Sequence, residues 1–207
     1  MPEVGRDTLA TRVAFLELQD ERRLIQEGFA LLDEKRMLLA AEILRQLRHH
    51  AALREEQTRL GTDARRALDA AVAIHGFDDL TVMPKRDLEP ALLRTDARTF
   101  LGLSLLEAAL EMPEVTGTTV PGLPTPEARA CRAAFERLLA VHASMAACVG
   151  NLRRLVGEYV RTERRARALE NVVLPDIDGT LRFIEEQLDA LDQEEAARVR
   201  NAARGRS

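Results

Sequence analysis

Aromatic residues make up 3% of this 207-residue chain and tryptophan is absent, which argues against the thick core of an ordinary globular enzyme. Ala, Leu, Arg and Glu dominate instead, the mixture expected of long helices around a thin, linear core. Cysteine is scarce as well. Cys131 and Cys148 fall on one predicted helix, about 25 Å apart at helical rise, and cannot bond to each other. With no leader-like segment and no apolar run near 18 residues evident, the expectation is a cytosolic chain that does not itself enter a membrane. Neither sign of charge is in large excess, the net being −4, so no global basic field is available to hold nucleic acid.

Catalytic signatures are missing too. There is no Gly-x-x-x-x-Gly-Lys phosphate loop. His49 and His50 are adjacent on a helix and diverge by about 100°, while His75 and His142 lie far from them in sequence, so solvated histidines are expected rather than a metal site. One stretch invites a chemical reading: residues 172 to 180 run Val-Val-Leu-Pro-Asp-Ile-Asp-Gly-Thr, like the nucleophile motif of haloacid-dehalogenase-type phosphatases. That motif must end a strand of a doubly wound domain, and the chain after Thr180 reads as one helix. On a helix Asp176 and Asp178 point about 200° apart and cannot share a metal. No catalytic residue, cofactor or metal is expected.

What the chain does have is two long heptad patterns. From Cys131, steps of seven give Leu138, Met145, Leu152, Tyr159, Ala166 and Val173; from Phe135 they give His142, Val149, Val156, Glu163, Glu170, Ile177, Ile184 and Leu191. Two lines four residues apart form a seam along a helix. Thr125 suits the N-cap, Pro126 the first helical position and Glu127 the positive terminus. About 73 residues at helical rise would extend roughly 110 Å. The earlier pattern runs from about Leu9 to Ile74, through Leu18, Ile25, Leu32, Leu39, Gln46, Leu53, Leu60 and Ala67, with a companion line from Arg22 through Phe29, Arg36, Ile43, His50, Gln57, Ala64 and Ala71.

Gly76 stands where a left-handed cap residue would close the first helix. The predicted organisation is therefore a helix over 1–77, a small head over 78–124 holding Pro84 and Pro90, and a second helix with a basic tail over 125–207. Met1 to Thr8 are expected to fray. Within the head, the Arg98 to Leu105 and Val115 to Val120 stretches read as short strands, while Leu105 to Glu111 reads alternatively as a turn or two of helix. The fold class is all-α dominated: a long antiparallel two-helix coiled coil with a small head that carries a short β-hairpin.

Folding the helices back with Ile74 near Thr125 brings Gly28 close to Pro175. Pro175 removes a backbone hydrogen bond and clashes with the preceding turn, so a kink or break is expected there. The apolar line also slips by one residue, from Val173 to Leu174, Leu181 and Leu188, and Gly28 opposite would admit a close approach. The basic run Arg161, Arg164, Arg165 and Arg167 reads either as a solvated flank or as a partner contact.

Residues 165 to 188, with their Ala-Leu-Glu-Asn, Val-Leu-Pro and Thr-Leu-Arg-Phe-Ile blocks, resemble the signature of the D subunits of V-type/A-type rotary ATPases. Leu16-Glu17-Leu18-Gln19 followed by Gly28, Leu31, Leu32, Lys35, Arg36 and Leu39 is similar to that family's N-terminal block, and Phe100, Leu101, Gly102 and Leu103 resemble its short hairpin. Gln19, Asp33, Met37 and the Asp178-Gly179 pair depart from the pattern, and no proline closely follows Gly102.

The resemblance implies a central rotor shaft, or central stalk, without an active site of its own. Its partners would be the A and B subunits of the catalytic hexamer, the small F subunit of the rotor and a funnel component (C/d type) above the membrane ring. It would be cytoplasmic, peripheral to the membrane through the complex, and would bind no nucleic acid. Arg161, Arg164, Arg165, Arg167 and Glu170, with Lys35 and Arg36, are the candidate partner contacts. A coiled-coil scaffold or prefoldin-like holdase is the alternative, opposed by Arg198, Arg200, Arg204 and Arg206 where apolar tips would be needed. The gamma shaft of F-type ATPases carries a larger α/β domain than residues 78–124 could form.

Overall fold

The computed structural model describes residues 10–82, 92–112 and 125–204. Helix α1 spans Arg12–Val82, strands β1 and β2 span Leu92–Phe100 and Leu103–Glu111, and helix α2 spans Pro126–Ala168; a five-residue π turn, Leu169–Val173, leads into helix α3, Leu174–Arg204. Long helices around a small antiparallel hairpin are the expected fold class. The expected strand at Val115 to Val120, the two prolines at 84 and 90, Arg206 and the N-terminal residues to Thr8 lie outside the described residues. Residue contacts divide the chain into two compact units, Met1–Leu38 with Tyr159–Ser207, and Leu39–Glu158.

In the first unit the helices run antiparallel, because partners descend along one helix as they ascend along the other. Arg12 pairs with Asp192, Arg22 with Asp178 and Arg36 with Glu163. The interior is narrow: among the described residues of this unit, Thr162, Ala166, Ile177 and Ile184 are the buried ones. Leu18, Ile25 and Leu32 of α1 are half-buried, as their heptad line requires.

The buried column of this unit changes phase. Steps of seven from buried Thr162 lead to Leu169, Asp176 and Phe183, yet the fully buried residues are Ile177 and Ile184, each one place later. Phe183 is 51% exposed and Ile184 0%. The cause is the π turn, in which the Leu174 N–H reaches back five residues to the Leu169 carbonyl. One extra residue in a turn rotates everything after it by about 100°. Leu174, Leu181 and Leu188 are accordingly half-buried, the slip expected from the sequence.

The second unit is also an antiparallel helix pair. His75 Nε2 lies 2.6 Å from Thr125 Oγ1, Gln57 Nε2 lies 3.2 Å from His142 Nε2, and the Cys148 thiol points at the Gln46 carbonyl. Leu39, Gln46, Leu53, Leu60, Ala64 and Ala71, which lie on the two heptad lines, form the buried face of α1 together with Glu42, which lies on neither. Ile74 is an exception at 55% exposed.

On α2 the line through Phe135 and Val156 is corrected: both are exposed, and the positions one place earlier, Ala134, Cys148 and Leu155, are buried. That line is half-buried at Val149 and Glu163 and reaches buried positions only beyond the π turn, at Ile177 and Ile184, because a fixed period cannot follow an added residue. Thr125 caps α2 as expected, its Oγ1 accepting from the Ala128 N–H at 3.3 Å.

Gly76 takes a positive φ of 73°, but its ψ of 166° is extended and helix resumes after it to Val82, so it interrupts the helix rather than ending it. The helical alternative for Leu105 to Glu111 is overturned. These residues form β2, paired from Phe100↔Leu103 to Leu92↔Glu111. Leu101 and Gly102 both have positive φ, 49° and 84°, the two-residue turn whose twist suits a hairpin. A leucine there is strained by roughly 1–2 kcal/mol.

The run Pro126–Asn201 contains an 18-residue window of mean hydropathy 1.2 with at most two charged residues. The expectation that no such run exists is therefore corrected at the margin. The same run supplies buried Cys148, Asn151 and Leu155 to the second unit.

Candidate partner-binding surface

Charges in the first unit are arranged around Glu163. Its carboxylate accepts from Arg36 Nη1 and from Arg167 Nε, both at 2.7 Å, while the other guanidinium arm of Arg36 donates to Asp33. The hydrogen bond from Arg36 is the main reason the Glu163 carboxyl is held below its usual range, and the same bond raises Arg36. Arg36 and Arg167, expected as partner contacts, are thus engaged within the chain. Lys35 and Arg161 also hold interactions of their own. Arg164 and Arg165 are exposed and make no ion pair with a described residue, and Glu170 is exposed on the π turn. Of the candidate contacts, these three present free charge.

Around Pro175 the expected break takes the form of the π turn immediately before it. Proline has no N–H to offer the preceding turn and its ring crowds the carbonyl four residues back; a widened turn relieves that crowding. The close approach expected at Gly28 does not occur, since a Cβ built there meets no heavy atom within 4 Å. Residues 172 to 178 are helical rather than the end of a strand, and Asp178 Oδ1 accepts from Arg22 Nε at 2.6 Å.

In the second unit the hairpin sits on the helices through polar groups that the sequence did not single out. Glu42, on α1, is buried and receives a two-pronged pair from Arg45 at 2.6 and 2.7 Å, an amide N–H from Gln46 at 3.0 Å, and Arg98 from β1. On α2, buried Asn151 accepts from the Leu106 N–H at 2.8 Å and donates to the Leu106 carbonyl at 2.7 Å, as a neighbouring strand would. Ser144 donates to the Ala108 carbonyl at 3.0 Å. A cavity of about 300 Å³ under the hairpin is lined by Gln46, His49, Glu107, Ser144, Cys148 and Asn151. Burial pushes the Cys148 and Cys131 thiols up, away from nucleophile chemistry.

At the expected hairpin site, Phe100 and Leu103 close the strands, Leu101 and Gly102 make the turn, and the Arg98 guanidinium lies 5.9 Å from the centre of the Phe100 ring. The histidines are not all solvated as expected: His75 bonds Thr125, and His142 reaches both Gln57 and the Leu138 carbonyl. Among the described residues no group of three His, Cys, Asp or Glu could hold a metal ion.

The Glu42 cluster gives a pH test. Hydrogen bonds led by Arg45 lower its carboxyl from 4.5 to about 2. A folded value below the unfolded one adds stability that is complete above about pH 4.5 and is lost as pH falls through 2. The contribution is at most about 3 kcal/mol. Urea denaturation should find Glu42→Gln less stable than the parent at pH 7, with the gap closing toward pH 2; a gap independent of pH would show that the carboxylate charge is not the source of that stability.

The family model for the D subunit of ATP synthase matches residues 14–204. The A-type ATP synthase D subunit of Methanopyrus kandleri is 27% identical over 201 residues, covering 96% of this chain and 86% of its own. The V-type ATP synthase D subunit of Thermotoga neapolitana is 25% identical, covering 92% and 94%. The A-type ATP synthase D subunit of Pyrococcus horikoshii is 28% identical, covering 97% and 94%.

Proposed function

Because the chain belongs to the ATP synthase D-subunit family, we propose that it is the central rotor shaft of a V/A-type rotary ATP synthase. It couples ion movement across the membrane to ATP synthesis or hydrolysis in the A/B catalytic hexamer. The observation that carries this reading is the extent of the family match, which takes in α1, the hairpin, α2 and α3. The chain contributes no active site of its own. Its partners are the A and B subunits, a small F subunit on the helix pair and a funnel component above the membrane ring, and it is cytoplasmic, peripheral to the membrane through that complex.

The paired helices support this role, since two helices locked side by side by ion pairs such as Arg22–Asp178 resist twisting better than one. Exposed Arg164 and Arg165 are the charges that meet successive catalytic subunits as the shaft turns, with Glu170 beside them on the π turn. Arg164→Ala with Arg165→Ala should reduce ion transport per ATP hydrolysed while changing folding stability by no more than about 0.5 kcal/mol per site. An equal fall in stability and coupling would make them structural instead.

Co-expression with A, B and F subunits, followed by sedimentation and ATPase assay, tests the function itself. One copy of this chain per A/B hexamer is the expected result. A symmetric oligomer of the chain that stays outside the hexamer would overturn it.

A further inference from the structure

The two edges of the hairpin are treated differently by the rest of its unit. In an antiparallel ladder a residue's N–H and C=O point to the same side, and that side alternates along the strand. Leu106 and Ala108 turn these groups outward, to Asn151 and Ser144. Their cross-strand partners are Ala97 and Thr95, so these two, with Leu93 and Thr99 in the same alternation, turn their backbone groups away from β2. Leu93, Thr95, Ala97 and Thr99 lie along the outer edge, and among the described residues no backbone group bonds to their outward N–H and C=O groups.

An open edge of this length is a template for another strand, and proteins usually blunt one with lysine, proline or a bulge. Strand β1 has none of these: its nine residues pair with β2 without interruption and include neither lysine nor proline. Its arginines are already engaged, Arg94 with Glu111 and Arg98 with Glu42. Asp96 is left as an exposed carboxylate with no ion-pair partner among the described residues, and Leu92 and Leu93 stand more than half exposed on the same strand.

We propose that the outer edge of β1 docks an extended segment of a partner protein in the rotary complex, which joins the hairpin as a third strand with a lysine or arginine opposite Asp96 and apolar residues against Leu92 and Leu93. Main-chain hydrogen bonds supply the affinity of such strand addition, and side chains at alternate positions the selectivity. A two-stranded sheet is marginal alone and gains most from a third strand. The inference rests on the rotor reading above, since the partner belongs to that complex.

Hydrogen exchange tests it on the intact chain, free and assembled with the A, B, F and funnel components. The amides of Leu93, Thr95, Ala97 and Thr99 should exchange freely in the isolated chain and slow at least tenfold in the complex. Those of Arg94, Asp96 and Arg98, already bonded to β2, should be slow in both. Ala97→Pro deletes one outward N–H and leaves the ladder to β2 intact, as proline is tolerated on a sheet edge; it and Asp96→Lys should each weaken assembly about tenfold, with Ala97→Ser unchanged. If the chain joins the complex while the four amides still exchange freely, the inference is wrong and the rotor reading stands. If the chain does not join, both fall. Protection that appears in the isolated chain only at high concentration would assign the edge to a second copy and overturn the proposal.

Discussion

Ile184→Ala destabilises the protein by about 2–5 kcal/mol, the usual cost of emptying a buried isoleucine site, while Phe183→Ala costs about 1 kcal/mol or less, close to a surface change. The order is the reverse of side-chain size. It follows from the rotation that the π turn imposes, which points Ile184 into the first unit, fully buried, and leaves Phe183 half exposed. Denaturant midpoints of the two variants at matched slopes decide it. A larger loss at Phe183 would mean that the uninterrupted phase, through Thr162, Leu169, Asp176 and Phe183, is the one populated in solution.

Deleting Asn171 should cost about 3 kcal/mol alone and nearly nothing when combined with Pro175→Ala. Removing one residue from the π turn restores ordinary helical spacing between Thr162 and a buried Ile177, so the interior keeps its alignment. An unbroken helix then places Pro175 in its middle, where the missing N–H and the ring clash cost about 3 kcal/mol. Alanine there removes that penalty. Pro175→Ala in the full-length chain should be close to neutral, which makes the cycle strongly non-additive. Additive losses, or a double variant as unstable as the deletion alone, would show that the widened turn is held by something other than the proline.

The buried face of α1 is legible in the sequence because one constant period runs along it from Leu18 to Ala67, apolar except at Gln46. The second helix was only half legible. Its Cys131 line follows mostly half-buried residues, whereas the Phe135 line keeps a constant period across a point where the helix gains a residue. Two signs of that gain were present in the sequence, namely Pro175 and the shift of the apolar line from Val173 to Leu174.

The ionic pairs were hidden for another reason. Whether Arg36 faces solvent or Glu163 depends on which residues the fold brings level, and charge composition carries no information on that. Glu42 and Asn151 did leave a signal. Each is polar among apolar neighbours on a buried face, and Gln46, one turn after Glu42, reads from the sequence as a weakness in the seam. In the structure Gln46 donates to Glu42. A polar residue in a buried column can mark a point where a further element attaches.

The seat of the hairpin also has an evolutionary consequence. Asn151 and Ser144 grip the main chain at Leu106 and Ala108, not their side chains. Mutational drift at 106 leaves those bonds available to every residue type except proline, which lacks the N–H, and at 108, where only the carbonyl is used, to every type, while loss of the asparagine amide or the serine hydroxyl removes them outright. The helix is therefore the constrained side of this attachment, and the strand is the side free to diversify.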